Sequence, residues 1–451
     1  MFEKEVYIER RQKLKKQVGN GLILLLGNEE SRINFKNNTY PFRQDSTFLY
    51  FFGIDRPYLC GIIDVDNNAE IIFGDNPTID HKVFLGDRES LESSCDCVGI
   101  SAVKCFRFAE DYVKKFKGKV HFLPPYRPEN AQKISDWLDI EIHLLENKAS
   151  VTLIKAIVMQ RSSKSDVEIK EIEKGVNLTI DMQLIAHEYT REGVTEAQIA
   201  DKVRSIADSA GGSLSFPAII TVEGHVLHNN YKGNTLQKGD MLLCDCGAET
   251  GMHYAGDLTR TFPVGDNFTT KQKEIYQIVM SAHNAAVDAL KPGRLFRDTH
   301  LLACEKLVEG LKMLGLMKGD VQEAVNQGAH TMFFQCGLGH LMGLDVHDME
   351  DLGEQYVGYT DHIKQCTQFG FKSLRLGREV QRGFVLTVEP GIYFIPQLID
   401  LWKAEKKFTS FINYIKLEEY RDFTGIRIEN DFVITDQGSR KLGRELSYNL
   451  D

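Results

Sequence analysis

The sequence of 451 residues is longer than a typical single domain, so it predicts at least two hydrophobic cores. Hydrophobic residues make up 42% of the chain and charged residues 26%, which is typical of globular proteins. The net charge of −10, without a block of Lys and Arg, argues against nucleic-acid binding. The apolar run Leu22–Leu26 is too short for a secretion signal or a membrane span. We therefore expect a cytoplasmic protein without membrane or nucleic-acid partners.

The nine cysteines are an odd number spread along the chain, which is a poor basis for a disulfide framework. One residue separates Cys95 from Cys97 and Cys244 from Cys246, whereas zinc knuckles typically use two. We therefore predict reduced and mostly buried thiols, as expected in the cytoplasm.

Residues 1–155 combine predicted strands with helices and are expected to form an N-terminal α/β domain. Four apolar segments predict strands, of which the last two form a hairpin around the turn at Asp66-Asn67-Asn68: 21–27, 46–54, 58–66 and 69–73. Prolines between residues 124 and 128 mark a break late in this region. The region contains no recognisable set of metal-binding or nucleophilic residues.

From about residue 156 onward, capped helices alternate with long strands. Three helices begin with a capping box, in which Ser or Thr is followed three residues later by Glu or Gln: Ser165 with Glu168, Thr195 with Gln198, and Thr269 with Gln272. Strands are predicted at 240–247, 254–263, 384–394 and 425–434. This arrangement indicates an α+β domain over 156–451, with helices packed on one face of a curved antiparallel sheet.

Two aspartates occupy unusual positions in these strands. Asp245 ends the apolar strand MLLC, and Asp257 lies in the next predicted strand, across a hairpin. Carboxylates on paired strands can converge, and without a cation they repel until one takes up a proton. Taken alone, such a pair is more often part of a turn or an ion pair than of a metal site.

Three further segments place reactive side chains in apolar surroundings. His340 lies in the Gly-rich stretch QCGLGHLMGLDVHD, seven residues before His347. Glu389 stands inside FVLTVEPGIYF, and Arg427 and Glu429 fall on one face of GIRIENDFVIT by the two-residue period of a strand. An acid inside a strand is costly unless it is paired or bound to a metal. Four acids and one imidazole therefore indicate a site for two divalent ions, better suited to Mn²⁺, Co²⁺ or Zn²⁺ than to Ca²⁺.

With these residues the sequence resembles the pita-bread metallopeptidases, a family that includes methionine aminopeptidase, aminopeptidase P and prolidase. The family's D-x-G-A-E motif corresponds to DCGAE at 245–249, and FRQDSTFLYFFGID at 42–55 is similar to the N-terminal domain of aminopeptidase P and eukaryotic-type prolidases. Methionine aminopeptidases normally lack that domain and the GLDVHD-type stretch, so the resemblance implies the proline-specific branch. By position, it implies five metal ligands: Asp245, Asp257, His340, Glu389 and Glu429.

The resemblance implies a dinuclear metallopeptidase that hydrolyses Xaa-Pro bonds in proline-containing peptides or dipeptides, and that forms a homodimer. It implies two divalent ions per chain, with Mn²⁺ expected first and Co²⁺ or Zn²⁺ as alternatives. One ion would be held by Asp245, Asp257 and Glu429. The other would be held by a second set: Asp257, His340, Glu389 and Glu429. Glu389 is implied as the general base that takes the proton of the attacking nucleophile.

Four residues are implied to bind the substrate or to orient the ligands. His228 and His347 correspond to family histidines that stabilise the developing oxyanion or pass a proton to the proline nitrogen. Arg427 would orient Glu429 or a neighbouring acid at the substrate-binding site. Arg375 corresponds to an arginine that faces the C-terminal carboxylate of the substrate in prolidases.

The sequence departs from the family pattern at two places. The hairpin between Asp245 and Asp257 is one residue longer than usual, which we expect to lengthen the turn at 249–252 and leave the acids in place. Cys336 stands four residues before His340, where prolidases and aminopeptidases P commonly carry a histidine. Because a thiol is a weak hydrogen-bond donor, we expect an altered rate or substrate choice.

The primary prediction is an Xaa-Pro aminopeptidase, which releases the N-terminal residue of a peptide, and the sequence leaves three alternatives. A prolidase would be restricted to Xaa-Pro dipeptides. A non-catalytic peptide-binding relative would be expected to lose metal ligands, whereas all five are present. A creatinase-like enzyme of the same fold would not need the five-ligand set.

Overall fold

The computed structural model describes residues 1–265 and 267–446, which form two compact units. The first unit comprises Met1–Arg161 and the short segment Asp351–Tyr356, and the second comprises Ser162–Glu350 and the chain from Val357 onward. Each unit has its own hydrophobic core, as expected from the chain length. No helix in the described part of the chain is both long enough and apolar enough to span a membrane.

A mixed sheet with helices forms the first unit. The elements of this part of the chain are α1 (Lys4–Val18), β1 (Leu22–Leu26), β2 (Arg32–Phe35), β3 (Asn38–Thr39), α2 (Ser46–Phe52), β4 (Cys60–Asp64), β5 (Ala69–Phe73), α3 (Ile79–Leu85), α4 (Leu91–Asp96), β6 (Ala102–Lys104), α5 (Ala109–Lys115), β7 (Val120–His121), α6 (Pro128–Leu138), α7 (Leu145–Lys148) and α8 (Val151–Ser162). The main sheet has the order β6-β5-β4-β1-β7, with β4 antiparallel to β1 and β5. The predicted strands 21–27, 58–66 and 69–73, including the hairpin, are confirmed as β1, β4 and β5.

The predicted strand at 46–54 is wrong, because this segment forms helix α2. The Asp45 carboxylate caps the helix by accepting a hydrogen bond of 2.8 Å from the backbone N–H of Phe48, and Gly53 ends it with a φ of 62°. All seven helical residues are buried, so the segment has no apolar face that would show a helical period. A short apolar run of this kind does not distinguish a buried strand from a buried helix.

The rest of the chain forms antiparallel strands and longer helices. Its elements are α9 (Asp166–Tyr189), α10 (Glu196–Ser209), β8 (Ser213–Leu214), β9 (Ile219–Thr221), β10 (Met241–Cys246), β11 (Ala248–Glu249), β12 (Leu258–Pro263), α11 (Thr270–Ala289), α12 (Phe296–Met313), α13 (Val321–Gln327), α14 (Glu354–Val357), β13 (Val385–Val388), β14 (Gly391–Tyr393), α15 (Pro396–Ala404), α16 (Tyr414–Leu417), β15 (Gly425–Arg427), β16 (Asn430–Ile434) and β17 (Ser439–Lys441). The strands form two three-stranded sheets, β12-β10-β9 and β13-β16-β17, and the pairs β11-β8 and β14-β15. Short 3-10 helices lie at Phe106–Phe108, Ile142–Leu144, Ala329–Met332, Glu350–Leu352, Phe371–Ser373 and Glu418–Tyr420.

The predicted helix starts of the second unit are confirmed. Both hydrogen bonds of the capping box are present at the N-terminus of α9, α10 and α11. Helix α11 ends at Ala289, shortly before the predicted stop at Pro292. These ends follow from side chains adjacent in sequence, which is why the sequence alone locates them.

Strand β10 presents one face to the helices and the other to the predicted site. Leu242 and Cys244 pack in one core with Met182 of α9 and Ile199 of α10. Because side chains alternate along a strand, Asp245 points to the opposite face. The helices therefore cover one side of this sheet and leave the aspartate on the other.

The two predicted strands at 384–394 and 425–434 are each interrupted, so their prediction as continuous strands is wrong. Val388 pairs with Asn430 before the breaks, and Gly391 pairs with Arg427 after them. The first break contains Pro390, which has no N–H for a ladder hydrogen bond. The two breaks therefore lie opposite each other, and Glu389 and Glu429 stand at them.

Candidate metal centre

The five residues predicted to bind metal all lie in the second unit at strand ends or in adjacent loops, and we call them the carboxylate centre. They are Asp245 at the end of β10, Asp257 before β12, His340 in the loop before β13, Glu389 after β13, and Glu429 before β16. Asp245, Asp257, His340 and Glu429 are 2–8% exposed, and the Glu389 side chain is 19% exposed. Glu389 is thus the member of the centre most accessible to solvent.

Three members of the centre approach one another closely. Potential ligand atoms of Asp257, His340 and Glu429 all lie within 4.8 Å of one another. The Nε2 atom of His340 is 3.5 Å from Oδ2 of Asp257 and 3.6 Å from Oε1 of Glu389. These separations suit donor atoms that share a cation between them.

The backbone around His340 fixes its ring. His340 Nδ1 lies 3.2 Å from the carbonyl oxygen of Leu341, which only accepts hydrogen bonds, so Nδ1 carries the proton. The His340 backbone N–H donates to Thr387 Oγ1 at 3.1 Å, and the Thr387 N–H donates to the His340 carbonyl at 3.0 Å. Burial lowers the pKa of His340, so the ring is neutral near pH 7. The Nε2 lone pair therefore faces two carboxyl groups, an arrangement that favours a metal ion.

The acids of the centre are held in an environment that disfavours their charge. Burial raises the pKa of Asp257, Glu389 and Glu429, and neighbouring acids raise it further. The Oδ1 atoms of Asp245 and Asp257 are buried and have no hydrogen-bond partner among the described residues. Such groups either hold protons or bind a cation. The donor set, four carboxyl groups and one neutral imidazole, fits divalent metal ions.

Arg427 provides the positive charge nearest to Asp245. Its Nη2 donates to Asp245 Oδ2 at 2.6 Å, and its Nη1 donates to the Tyr393 hydroxyl at 2.9 Å. Its Nε donates to Thr259 Oγ1 at 3.2 Å, and that hydroxyl donates to Glu429 Oε2 at 2.6 Å. Arg427 therefore contacts Asp245 directly and reaches Glu429 through Thr259.

Two polar residues that support the centre, Asp431 and Thr259, were not identified from the sequence. The carboxylate of Asp431, which is fully buried, accepts a hydrogen bond of 3.0 Å from the Asp257 backbone N–H. Thr259 lies opposite Asp245 in the β10–β12 register. The signal for Asp431 was available, because it follows Glu429 by the two-residue period of a strand. The role of Thr259 depends on strand pairing, which the sequence does not specify.

His347 and Arg375, two of the predicted substrate-binding residues, meet through a glutamate that the sequence analysis missed. The His347 ring centroid lies 4.2 Å from that of His340, and His347 Nδ1 is 2.7 Å from Glu350 Oε2. Arg375 Nη1 pairs with the other carboxylate oxygen of Glu350. The hydrogen bond from His347 lowers the pKa of Glu350 to about 2, so the carboxylate is ionised. Burial lowers the pKa of His347 to about 4. The three-residue spacing between His347 and Glu350 could have indicated their contact from the sequence.

His228 lies close enough to Asp245 for their charges to interact, and Cys336 lies similarly close to Glu389. His228 lies in the loop between β9 and β10, where part of its ring is exposed; the partial burial of the ring, and then the charge of Arg427, lower its pKa. Cys336 is half-buried and hydrogen-bonded to Tyr393, the same tyrosine that contacts Arg427. Burial raises the pKa of Cys336 to about 12, so the thiol is protonated at neutral pH.

Comparison with known families gives two matches along the chain. Residues 170–436 match the model of metallopeptidase family M24, and residues 7–121 match the N-terminal domain of aminopeptidase P. The first match includes all five residues of the carboxylate centre. It also covers more than half of the chain.

Individual relatives and solved structures agree with these matches. The chain is 30% identical to human Xaa-Pro dipeptidase over 95% of its length and 87% of that protein. It is 28% identical to Escherichia coli Xaa-Pro aminopeptidase, with 98% and 95% of the two chains covered. The structure of zinc-substituted E. coli aminopeptidase P in complex with product matches with a TM-score of 0.79 at 27% identity, over 98% of this chain and 95% of that one.

These similarities extend over both units of the chain. The E. coli aminopeptidase P complexed with substrate, in a variant form, matches with a TM-score of 0.80 at 27% identity and the same coverage. The expected α+β fold, an N-terminal domain followed by a pita-bread catalytic domain, is therefore confirmed. The chain belongs to metallopeptidase family M24.

Proposed function

We propose that this protein is an Xaa-Pro aminopeptidase, which hydrolyses the bond before proline and releases the N-terminal residue of a peptide. The observation that carries the proposal is the meeting of buried acids from separate strands around the neutral Nε2 of His340. The names of the relatives, Xaa-Pro dipeptidase and Xaa-Pro aminopeptidase, support the same bond specificity. The name of the first relative, Xaa-Pro dipeptidase, also gives the alternative function, a prolidase restricted to dipeptides.

The proposed cofactor is a pair of divalent ions, with Mn²⁺ expected. Asp245, Asp257 and Glu429 would hold one ion. The second ion would be held by four residues: Asp257, His340, Glu389 and Glu429. When bound, the ions supply Lewis-acid polarisation of the scissile carbonyl and lower the pKa of water at the site. The unpaired buried oxygens of Asp245 and Asp257 are consistent with this assignment.

Glu389 is proposed as the general base. Its side chain is the most exposed of the carboxylate centre, so a substrate and a water molecule can reach it. Burial raises the pKa of Glu389, which brings proton uptake closer to neutral pH. Thr387 Oγ1 lies 3.4 Å from Glu389 Oε1 and steadies the carboxyl group.

His347 and His228 are proposed to act on the substrate side in different ways. Because Glu350 is ionised, His347 Nδ1 donates to it, and Nε2 is left with a lone pair. The neutral ring therefore does not donate to an oxyanion through Nε2, but it accepts a proton there and can pass it to the proline nitrogen. This arrangement leaves His228 as the better candidate for stabilising the oxyanion.

The position of Arg375 favours the aminopeptidase over the dipeptidase. A dipeptidase needs a free cation for the C-terminal carboxylate of its substrate, whereas Arg375 is ion-paired with Glu350. The pairing reduces the attraction of Arg375 for a second carboxylate. Arg427 is also ion-paired, in its case with Asp245, and is proposed to orient that acid next to the substrate.

The deciding experiment compares hydrolysis of Ala-Pro-Ala with that of Ala-Pro by the Mn²⁺-loaded protein. We expect release of Ala from the tripeptide. Cleavage of Ala-Pro alone would establish the dipeptidase instead. No cleavage of either peptide by a protein with full metal content would overturn the proposed activity.

Three further proposals concern organisation rather than chemistry. We propose domains at 1–155 and 156–451, the first being the aminopeptidase P-type domain. A cytoplasmic location is supported by all nine cysteines being free, each of which lies in the described part of the chain. Assembly as a homodimer is proposed from the family resemblance, and sedimentation analysis of the purified protein tests it.

A further inference from the structure

A second group of potential metal ligands lies in the second unit, apart from the carboxylate centre, and we call it the histidine–cysteine cluster. It consists of His300 and Cys304 on α12 and His330 in the 3-10 helix Ala329–Met332. One nitrogen of each ring and the Cys304 sulfur all lie within 4.8 Å of one another. His300 and Cys304 are one helical turn apart, so they project from the same face of α12. All three side chains are almost completely buried.

The separation of the donors suits a tetrahedral metal ion. Cys304 Sγ lies 3.6 Å from His300 Nε2. A zinc ion with bonds of about 2.3 Å to sulfur and about 2.0 Å to nitrogen holds two such donors about 3.5 Å apart. The observed separation therefore requires little rearrangement on binding.

The histidines of the cluster also have unpaired polar atoms. Nδ1 of His300 and Nδ1 of His330 are buried and have no hydrogen-bond partner among the described residues. Buried ring nitrogens in this state are rare, because the lost hydration is not replaced. Because His300 faces Cys304 through Nε2, an ion between them would leave the Nδ1 of His300 unpaired, so the mutual approach of the three donors, rather than these two atoms, points to an ion.

The surroundings of the cluster are apolar. The His300 ring centroid lies 5.6 Å from that of Phe334 and 5.7 Å from that of Phe371, and His330 lies 5.1 Å from Phe371. Burial lowers the pKa of His300 to about 4 and that of His330 to about 3, so both rings are neutral, which is the metal-binding form. Phe or Leu would fill the same space without unpaired nitrogens. The three donors therefore require an explanation beyond packing.

We propose that His300, Cys304 and His330 bind one thiophilic divalent ion of the zinc type. On binding, the S–H bond of Cys304 breaks, a sulfur–metal bond forms, and the proton leaves to solvent. The thiolate distinguishes this cluster from the carboxylate centre, whose oxygen-rich ligands suit harder ions. The ion would tie α12 to the segment after His330, which leads to Cys336 and His340. Its role is therefore to position that segment, separately from the proposed peptidase chemistry.

The test uses the full-length protein exchanged against Co²⁺, which gives a near-ultraviolet charge-transfer band when a thiolate binds it. The carboxylate centre consists of oxygen and nitrogen donors, so it does not produce this band. We expect a band whose intensity corresponds to one thiolate-bound Co²⁺ per chain, whatever the Co²⁺ content of the carboxylate centre, and which disappears when Zn²⁺ displaces the cobalt. Absence of the band from the folded wild-type protein would overturn the proposal.

Variants identify the sulfur and the rings. Cys304→Ser should remove the band, whereas Cys336→Ser, which changes a thiol near Cys304, should keep it. His330→Phe preserves an aromatic ring against Phe371 and should weaken Co²⁺ binding at least tenfold. If Cys304→Ser does not fold, Cys304→Ala and His330→Phe provide the same comparison. A band that persists without Cys304, or that disappears with Cys336→Ser, would refute the assignment.

Asp257→Asn separates this proposal from the proposed function. That variant should lose the ions of the carboxylate centre and keep the charge-transfer band with full intensity. Loss of the band in Asp257→Asn, with folding intact by circular dichroism, would contradict an independent site. A protein that has the band but no peptidase activity would support the cluster and overturn the proposed function alone.

Discussion

The carboxylate centre and the histidine–cysteine cluster are both buried in the second unit, but they differ in charge and access. The carboxylate centre brings together acids that repel each other, and one of them, Glu389, is 19% exposed. The cluster consists of groups that are neutral without metal, and both of its histidines are at most 2% exposed. Concentrated like charge at an accessible place is typical of a catalytic site, whereas a sealed set of neutral donors is typical of a structural one.

The two groups also differ in how the fold builds them. The acids stand at strand ends and breaks, where the backbone leaves the ladder and side chains can converge. The cluster consists of two residues of helix α12 and one residue of a 3-10 helix. The helical spacing alone brings His300 and Cys304 together. Five predictions test this contrast, beginning with the one that is expected to have the largest effect.

Asp257→Asn is expected to have the largest effect. The substitution removes a negative charge from the proposed site of both ions, so the Mn²⁺ content and Xaa-Pro hydrolysis should both fall to background, whereas the ion of the histidine–cysteine cluster should remain. Elemental analysis of the purified variant and a peptide assay measure the two quantities. Cys304→Ser is the matched variant from the cluster and should retain the ions of the carboxylate centre. Retention of two Mn²⁺ ions per chain by Asp257→Asn would contradict the ligand assignment.

Glu389→Gln should reduce kcat by about 10²–10⁴-fold while metal content stays close to that of the wild type. The amide keeps the shape of the side chain and one oxygen ligand, but it does not accept the proton. Steady-state kinetics with an Xaa-Pro peptide, together with metal analysis, measure the effect. A kcat within tenfold of the wild-type value at normal metal content would place the base elsewhere.

Thr259→Val should reduce metal affinity or activity by about 10–100-fold. The isosteric change removes the hydroxyl that donates to Glu429 Oε2 and accepts from Arg427 Nε. Thr261→Val is the matched control, because Thr261 lies on the same strand and is equally buried but bonds to the Arg427 backbone. Equal losses from the two variants in metal titrations would show that packing, rather than ligand orientation, is affected.

Cys336→His should raise kcat/KM for Xaa-Pro substrates about tenfold, a part of the roughly 10²–10³-fold effect of one oxyanion donor. The new ring would lie beside Tyr393 and supply a stronger donor than the thiol. Cys366→His, at an exposed cysteine, controls for the added histidine. Lower activity at an unchanged melting temperature would refute the missing-donor idea. A fall in both quantities would indicate overpacking and would also contradict it.

The two groups should respond to pH with opposite signs in the metal-free protein. Raised pKa values in the carboxylate centre mean that the folded state binds more protons above about pH 4, so the free energy of unfolding falls as pH rises. Lowered pKa values of His300 and His330 mean that the unfolded state binds more protons below about pH 6.5, so stability falls as pH drops.

Melting temperatures with and without EDTA measure these opposite slopes. Mn²⁺ should reduce the fall of the melting temperature on the alkaline side, and His330→Phe should reduce its fall on the acidic side, by about 1 °C for each kcal/mol involved. A metal-free protein whose melting temperature is constant or rises between pH 7 and pH 8, where the histidines no longer titrate, would contradict the picture of protonated buried acids.

Much of the second unit was predictable because its signals are local. The capping boxes at Ser165, Thr195 and Thr269 involve side chains three residues apart, and each one begins a helix in the structure. Acids such as Asp245 attracted attention because they stand in apolar strands, where a charge without a partner is costly. The choice between helix and strand at 46–54 was not predictable, because burial on every side removed the periodicity that distinguishes them.

The helix starts, several strands and the set of acids that need a counter-charge could be predicted from the sequence alone. Which atoms meet depends on the tertiary structure. The strand pairing places the interruption at Glu389 opposite the interruption at Glu429. The fold also brings Arg375 into an ion pair with Glu350. It also brought His330 next to Cys304 across 26 residues of chain. Local preferences depend on neighbouring residues and leave a pattern in the sequence, whereas these contacts depend on strand register and helix packing, which arise only when distant segments bury their surfaces together.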